Sequence, residues 1–163
     1  MTDKVSFAIE ELHRDERHLV AELMHLSDRH HADHEIHHVA RDLAGWSREH
    51  VRVLAELGAA HGLDLDREAG GASTLLAAAR HKGSDLLGRH HGPALLLIRD
   101  LRALHRAAAG VSLDWDVLAQ TAQALKDTDL FAAAQRCHPQ TLRQMRWADA
   151  TVKAVSAQAL VTG

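Results

Sequence analysis

The stretch VSFAIEELHRDERHLVAELMHL, residues 5–26, decides the fold. Its large apolar side chains recur in steps of three or four positions, with one polar exception, at Val5, Ile9, Leu12, Leu19, Leu23 and Leu26. Such steps return to the same side of an α-helix, whereas a strand repeats every second residue. The stretch therefore predicts a long helix whose apolar side packs against other helices.

Residues 32–60 repeat this pattern. Their inward positions are Ala32, Ile36, Val39, Leu43, Trp46, Val53, Leu57 and Ala60. Only a short turn near residues 28–31 separates the two stretches, so we expect the two helices to be antiparallel neighbours. The second helix is predicted to end near His61 and Gly62, because glycine readily adopts the left-handed conformation that follows a helix.

The next segment, GLDLDREAGGAS at residues 62–73, predicts a connection long enough to cross to the far end of a bundle. A third helix is expected from Ser73. It is predicted to kink or break at Pro93, because proline lacks the N–H that a continuous helix needs. The helix then continues to Ala109 and is expected to stop at Gly110.

Two more helices are predicted after this glycine. Ser112 is a suitable N-cap for a fourth helix that runs towards Phe131 and Cys137. Pro139 fits the first turn of a fifth helix. We therefore expect a single all-α domain over residues 1–163, an antiparallel bundle of four or five helices with up-down packing. It divides into a hairpin at residues 1–61, the connection at 62–73 and the helices of residues 74–163.

Charge separates an acidic hairpin from a more basic set of helices. Residues 1–68 carry 8 Lys and Arg against 15 Asp and Glu, whereas residues 69–163 carry 11 against 7. Packing of the acidic half against the more basic half accounts for the uneven charge. A nucleic-acid-binding surface is therefore the less favoured interpretation of the basic residues. The outward stripe Arg99, Arg102 and Arg106 is a candidate binding site for phosphate or an acidic partner, with a solvated helix surface as the alternative.

Several classes of protein are disfavoured. The first residues contain no apolar core like that of a signal peptide, and the longest strongly apolar run, residues 93–98, is too short to span a bilayer. The one cysteine, Cys137, cannot form an internal disulfide. A cytoplasmic protein without a membrane partner is expected. Cys137 and His138 are not predicted to act as nucleophile and base, and no glycine-rich phosphate loop follows a strand.

The densest group of metal-binding side chains is DRHHADHEIHHVARD at residues 28–42. Relative to the inward positions of the second helix, all five of its histidines are predicted to face outward: His30, His31, His34, His37 and His38. The pairs His30 with His34 and His34 with His38 lie one helical turn apart, which suits a transition metal ion. A solvated surface and a pH-sensitive contact between subunits remain alternatives.

Two polar residues interrupt the inward lines of the first two helices. Glu16 follows Leu12 in the first line, and His50 follows Trp46 in the second. In an antiparallel hairpin they lie across from each other. A buried carboxylate needs a proton, a cation or hydrogen bonds. Glu16 and His50 are therefore candidate ligands of an interior metal ion or, as the alternative, a buried pair that fixes the helix register.

This helical pattern resembles, in architecture, the ferritin-like and haemerythrin-like bundles. Ferritin-like di-iron proteins place Glu on two helices and Glu-x-x-His on the other two. Glu35 and His38 have the latter spacing, and His31 with Glu35 has the His-x-x-x-Glu spacing of haemerythrin-like proteins. The resemblance implies a four-helix fold with an interior metal site. No glutamate follows Glu68, so the second half lacks the usual carboxylates, and neither ligand set is transferred.

Two functions follow. The first is a non-catalytic helical module that binds a ligand or a protein partner, which includes a second copy of the chain. The second is a ferritin-like protein that holds iron, zinc or another transition metal at Glu16 and His50, in metal or oxidative-stress handling.

Overall fold

The computed structural model of the chain describes residues 2–70 and 92–161, with side chains from residue 4 onward. It contains four helices, α1 (Thr2–Arg29), α2 (His34–Ala60), α3 (Pro93–Leu125) and α4 (Thr128–Val161). These described ranges contain no strand, so the predicted all-α bundle is confirmed. Within the same ranges, no helix has the length and apolar character required to cross a membrane.

Contacts between the helices define an up-down-down-up arrangement. α1 packs against α2 and α3, and α4 packs against α3 and, less extensively, α2. Arg29 contacts Asp100 while Glu16 contacts Trp115, so α1 and α3 are antiparallel. Gln144 contacts Leu43 while Asp127 contacts His61, so α2 and α4 are also antiparallel. α2 and α3 therefore run in the same direction, so the end of α2 and the start of α3 lie at opposite ends of the bundle.

The segment that follows α2, residues 61–70, lies against α1. Ser6 Oγ donates to the carbonyl of His61 at 3.2 Å, and His13 Nε2 lies 2.7 Å from the carbonyl of Asp66. Arg17 donates to the carbonyl of Gly70. The segment therefore runs parallel to α1, towards the end where α3 begins. This agrees with the predicted crossing connection, but residues 71–73 and the predicted helix between Ser73 and Pro93 lie outside the described residues.

Asp33 and Gly62 mark the ends of α2. The Asp33 carboxylate accepts a hydrogen bond from the Ile36 N–H at 3.1 Å, and Gly62 has φ of +80°. The predicted end near His61 and Gly62 is confirmed. The inward position predicted for Ala32 is wrong, because Ala32 lies in the exposed turn before Asp33.

The predicted boundaries within the second half are wrong. Gly110 and Ser112 lie inside α3, and Pro139 lies inside α4. The actual break is at Lys126, in the left-handed conformation with φ of 55°, and at Asp127, whose carboxylate accepts from the Leu130 N–H at 3.0 Å. Continuous apolar packing along each helix outweighs the local cost of the glycine and the proline.

Pro93 does mark a boundary. α3 begins at this residue, where a missing N–H costs nothing because the first amides of a helix have no partner within it. Gly92 before it has φ of +81°, which ends any helix on that side. The predicted break at Pro93 is therefore observed as the start of a helix, and the helix predicted to precede it falls among the residues not described.

The core forms one cluster between the four helices. All six apolar residues predicted for the first helix are buried, including Ile9, Leu12 and Leu19 with no exposed surface. On α2 the buried side is turned slightly from the predicted line, so that Ala40, Ala44, Val51 and Leu54 are buried while Val39, Trp46 and Leu57 are only partly covered. Trp115 of α3 is the largest fully buried side chain.

Replacement of Gly110 tests the continuity of α3. Gly110 is exposed, and a Cβ at this position meets nothing within 4 Å. We expect Gly110→Ala to raise the free energy of unfolding by about 1 kcal/mol, because alanine costs less backbone entropy in a helix. Urea denaturation measures the change. The matched control Gly62→Ala should be destabilising, since Gly62 has positive φ. Destabilisation by Gly110→Ala would contradict a continuous helix.

Candidate functional site

Glu16 of α1 and His50 of α2 meet at the centre of the bundle. His50 Nδ1 lies 2.7 Å from Glu16 Oε1, and neither side chain has any exposed surface. The two positions face each other because they occupy the inward sides of antiparallel neighbours. The structure thus brings together the two polar residues singled out in the apolar lines of the sequence.

The other two helices complete this polar cluster. Trp115 of α3 donates its indole N–H to the same Glu16 Oε1 at 2.8 Å, and its ring meets the His50 ring edge-on at a centroid distance of 5.8 Å. Gln140 of α4 lies with its Oε1 2.8 Å from His50 Nε2. Each helix therefore contributes one side chain to what we call the central cluster: Glu16, His50, Trp115 and Gln140.

His50 is positively charged in this cluster. Burial acts to lower its pKa, but the negative charge of the Glu16 carboxylate, which is hydrogen-bonded to the ring, outweighs burial and raises the pKa of His50 to about 10. The protonated ring donates from Nδ1 to Glu16 and from Nε2 to Gln140. The pair is therefore a buried ion pair whose imidazolium has both N–H groups occupied.

An interior metal ion at Glu16 and His50 would compete with the hydrogen bonds of this arrangement. A metal ligand must present a nitrogen with a free lone pair, whereas both nitrogens of His50 already have hydrogen-bond partners, Glu16 and Gln140. Over the described parts of the chain, no group of three or more His, Cys, Asp and Glu is placed to hold a metal ion. Only Glu16 Oε2 lies buried without a hydrogen-bond partner in the cluster.

A second polar contact lies one helical turn further along α4. Gln144 donates to the carbonyl of Leu43 and to Ser47 Oγ, both at 2.9 Å. Gln144 and Ser47 have no exposed surface. Together with the central cluster, this contact ties α4 to α2 along a polar line inside the bundle, where α2 and α4 otherwise have the least extensive packing.

The histidine run divides into buried and exposed members. His30 Nε2 lies 2.8 Å from Asp100, which also binds Arg29, and His37 Nδ1 lies 3.0 Å from the Ser27 carbonyl. Both rings are partly buried, so the prediction that all five histidines face outward is wrong for His30 and His37. These two rings are covered because the end of α1 and Asp100 of α3 pack against that side of the run. His31, His34 and His38 are exposed as predicted.

The predicted arginine stripe is exposed on α3. Arg102 and Arg106 line a cavity of about 180 Å³ between α3 and α4, together with His105, Asp149 and Val152. On α4, which packs against α3, three more cations are exposed. We call these six cations the basic face: Arg99, Arg102, Arg106, Arg143, Arg146 and Lys153.

Ser112, His138 and Asp116 form an arrangement that the sequence did not suggest. Ser112 Oγ lies 2.8 Å from His138 Nε2, and His138 Nδ1 lies 3.4 Å from Asp116. Acyl transfer also needs N–H donors for an oxyanion, but Ser112 lies inside α3, where backbone N–H groups are used by the helix. Cys137 is buried and interacts with His50. Neither arrangement supports catalysis.

Comparison of the chain with models of protein families, with curated proteins and with solved structures found no match in any of the three. The function is therefore argued from the geometry of the described residues.

The charge of His50 predicts a pH dependence of stability. His50 titrates near its ordinary value of 6.5 when unfolded and near 10 when folded. Between these values the folded state holds one more proton, so the free energy of unfolding should fall as pH rises from about 6.5 to about 10. Urea denaturation across this range measures the slope.

Glu16→Gln should reduce this slope strongly, because it removes the charge that keeps His50 protonated. Glu10→Gln is the matched control, since Glu10 is exposed on the same helix and should leave the slope as in the wild type. An equal slope in Glu16→Gln and the wild type would show that the ion pair is not the origin of the pH dependence.

Proposed function

We propose that the chain is a non-catalytic interaction module that binds an acidic segment of a partner protein on its basic face. The observation that supports this most directly is the number of unpaired arginines on that face. Within the described residues, Arg99, Arg102, Arg106, Arg143 and Arg146 form no ion pair.

The arginines of the acidic half behave differently. Most of them form ion pairs within the chain: Arg14 with Glu11, Arg17 with Asp66, Arg29 with Asp100, Arg41 with Asp28, Arg52 with Glu49 and Arg67 with Glu56. An exposed guanidinium without such a partner presents a planar set of donors that matches a carboxylate. The arginines of the basic face can therefore bind carboxylates of another molecule, whereas most arginines of the hairpin already bind carboxylates of the chain itself.

The spacing of the face favours an extended acidic ligand over a single phosphate. Arg99, Arg102 and Arg106 extend over about 10 Å of α3, and Arg143, Arg146 and Lys153 extend over about 15 Å of α4, given a rise of 1.5 Å per residue. A ligand with several carboxylates contacts such a face at several points. The cavity beside His105 accommodates one of them, and Asp149 in its wall is paired with Lys153 at 2.7 Å.

The interior supports a non-catalytic role. The central cluster has no exposed surface at Glu16, His50 or Trp115, so no substrate reaches these side chains in this conformation. Cys137 is buried and free, as suits a reducing compartment such as the cytoplasm. The groups that remain available for recognition lie on the outside of the bundle.

A metal-binding, ferritin-like protein is the second candidate. In its favour are the up-down-down-up order of the helices, the position of Glu16 and His50 at the centre, and the unpaired Glu16 Oε2. An interior metal would require His50 to lose a proton and to release Glu16 or Gln140. This cost is the reason for placing the interaction module first.

Binding of an acidic probe tests the first candidate. A fluorescent polyglutamate peptide should bind the untagged full-length protein and dissociate with added salt, which screens exposed charges. Arg99→Gln/Arg102→Gln/Arg106→Gln should weaken binding by about tenfold or more, since each exposed charge contact contributes up to about 1 kcal/mol. Fluorescence polarisation measures the affinity.

The matched control for net charge is Arg14→Gln/Arg41→Gln/Arg52→Gln, which removes three exposed arginines from the hairpin. Equal loss in both triple variants would show that net charge alone drives binding, and it would overturn the assignment to the basic face. Tighter binding of a single-stranded oligonucleotide than of the peptide would also contradict a protein partner.

Metal content tests the second candidate. We expect no stoichiometric metal that depends on the central cluster after purification of untagged protein from metal-supplemented growth, measured by elemental analysis and absorption spectroscopy. Metal that is lost in both Glu16→Gln and His50→Ala but retained in His34→Ala would reverse this order of the two candidates.

A further inference from the structure

We propose that His34 and His38, on the exposed side of the first turns of α2, form a two-histidine chelate for a divalent transition metal ion of the zinc, nickel and copper class. This site lies on α2, apart from the basic face of α3 and α4. It is therefore independent of the proposed acidic partner and of the interior candidate at Glu16 and His50.

The hydrogen bonds of the histidine run single out this pair. His30 is held by Asp100, His37 by Ser27, and His31 Nδ1 lies 3.0 Å from the carbonyl of Asp28. His34 and His38 form no hydrogen bond or ion pair within the described residues, and both are exposed. Of the five imidazoles, these two are the ones free to bind an external ligand through either nitrogen.

The distance between the two rings already suits a shared metal ion. Their centroids are 5.4 Å apart, with planes inclined by 45°. Zinc lies about 2.0 Å from an imidazole nitrogen and is tetrahedral, which places the centroids of two bound rings about 5 Å apart. The centroid separation is therefore compatible with one shared ion once side-chain rotation aims a nitrogen of each ring at it, and the helix backbone supplies the spacing.

Local charge also favours a cation at this position. Four exposed carboxylates are near the pair in the sequence, at Asp28, Asp33, Glu35 and Asp42, and the nearby exposed Arg41 is partly used by Asp28 at 3.4 Å. The amide dipoles at the start of a helix disfavour a cation. The surrounding carboxylates oppose that effect, and Asp33 already occupies the Ile36 N–H.

Two protein ligands leave the remaining positions of the metal open. Those positions take water in the isolated chain, or a donor atom from a molecule that approaches α2. The site is therefore accessible and exchangeable, in contrast to the four-ligand sites that hold a structural zinc.

Zinc titration of the untagged full-length protein tests the proposal. Isothermal titration calorimetry should show one site per chain that is lost or weakened by about tenfold or more in His34→Ala and in His38→Ala, because each leaves one ligand without the second held at high effective concentration. His31→Ala is the control and should bind as the wild type does.

A second control keeps the number of histidines constant. His38→Ala/Arg48→His moves one imidazole ten residues along α2, to an exposed position with no histidine one turn away. It should not restore the site. Circular dichroism checks that each variant folds, and nitrogen NMR of the imidazoles should show zinc-dependent shifts at His34 and His38. Unchanged affinity in His34→Ala and His38→Ala, restored binding in the relocated variant, or zinc shifts at other rings would overturn the proposal.

Discussion

The ion pair between Glu16 and His50 is the interaction on which the rest of the structure depends. Two charges without exposed surface lie 2.7 Å apart in the middle of the core. Desolvation of an ion costs several kcal/mol, and only mutual attraction and further hydrogen bonds compensate it. Trp115 and Gln140 supply those bonds from the other two helices, so the pair is compatible with the fold only when all four helices are present in one relative alignment.

This requirement specifies the register of the bundle more strongly than apolar packing does. Alanine and leucine dominate the core, and such side chains tolerate alternative alignments that preserve volume. Sliding one helix by a turn moves its side chains by about 5.4 Å and leaves a buried charge unpaired, which costs about 3–5 kcal/mol. The register in turn brings Asp100 of α3 level with Arg29 of α1.

The sequence predicts the two charged members of the cluster but not their partners. Glu16 and His50 are visible because each interrupts an apolar line that is otherwise regular. Trp115 gives no comparable signal, since a tryptophan fits an apolar line and the hydrogen bond of its indole N–H has no signature in the sequence pattern. Gln140 was hidden by the expected helix start at Pro139. A glycine inside a helix costs about 1 kcal/mol and a proline about 3 kcal/mol. Packing along helices of more than 30 residues outweighs both costs, so the helices continue through Gly110 and Pro139.

The histidine run shows why the spacing of histidines in a sequence does not determine which of them can bind a metal ion. His30 and His34 have the same spacing as His34 and His38, so the sequence treats the two pairs alike. The difference comes from Asp100, which lies 70 residues further along the chain and binds His30 at 2.8 Å. That contact depends on the antiparallel packing of α1 and α3, which follows from the register set by Glu16 and Trp115. The buried ion pair thus selects, through the packing of α3, which surface imidazoles remain free to bind a ligand.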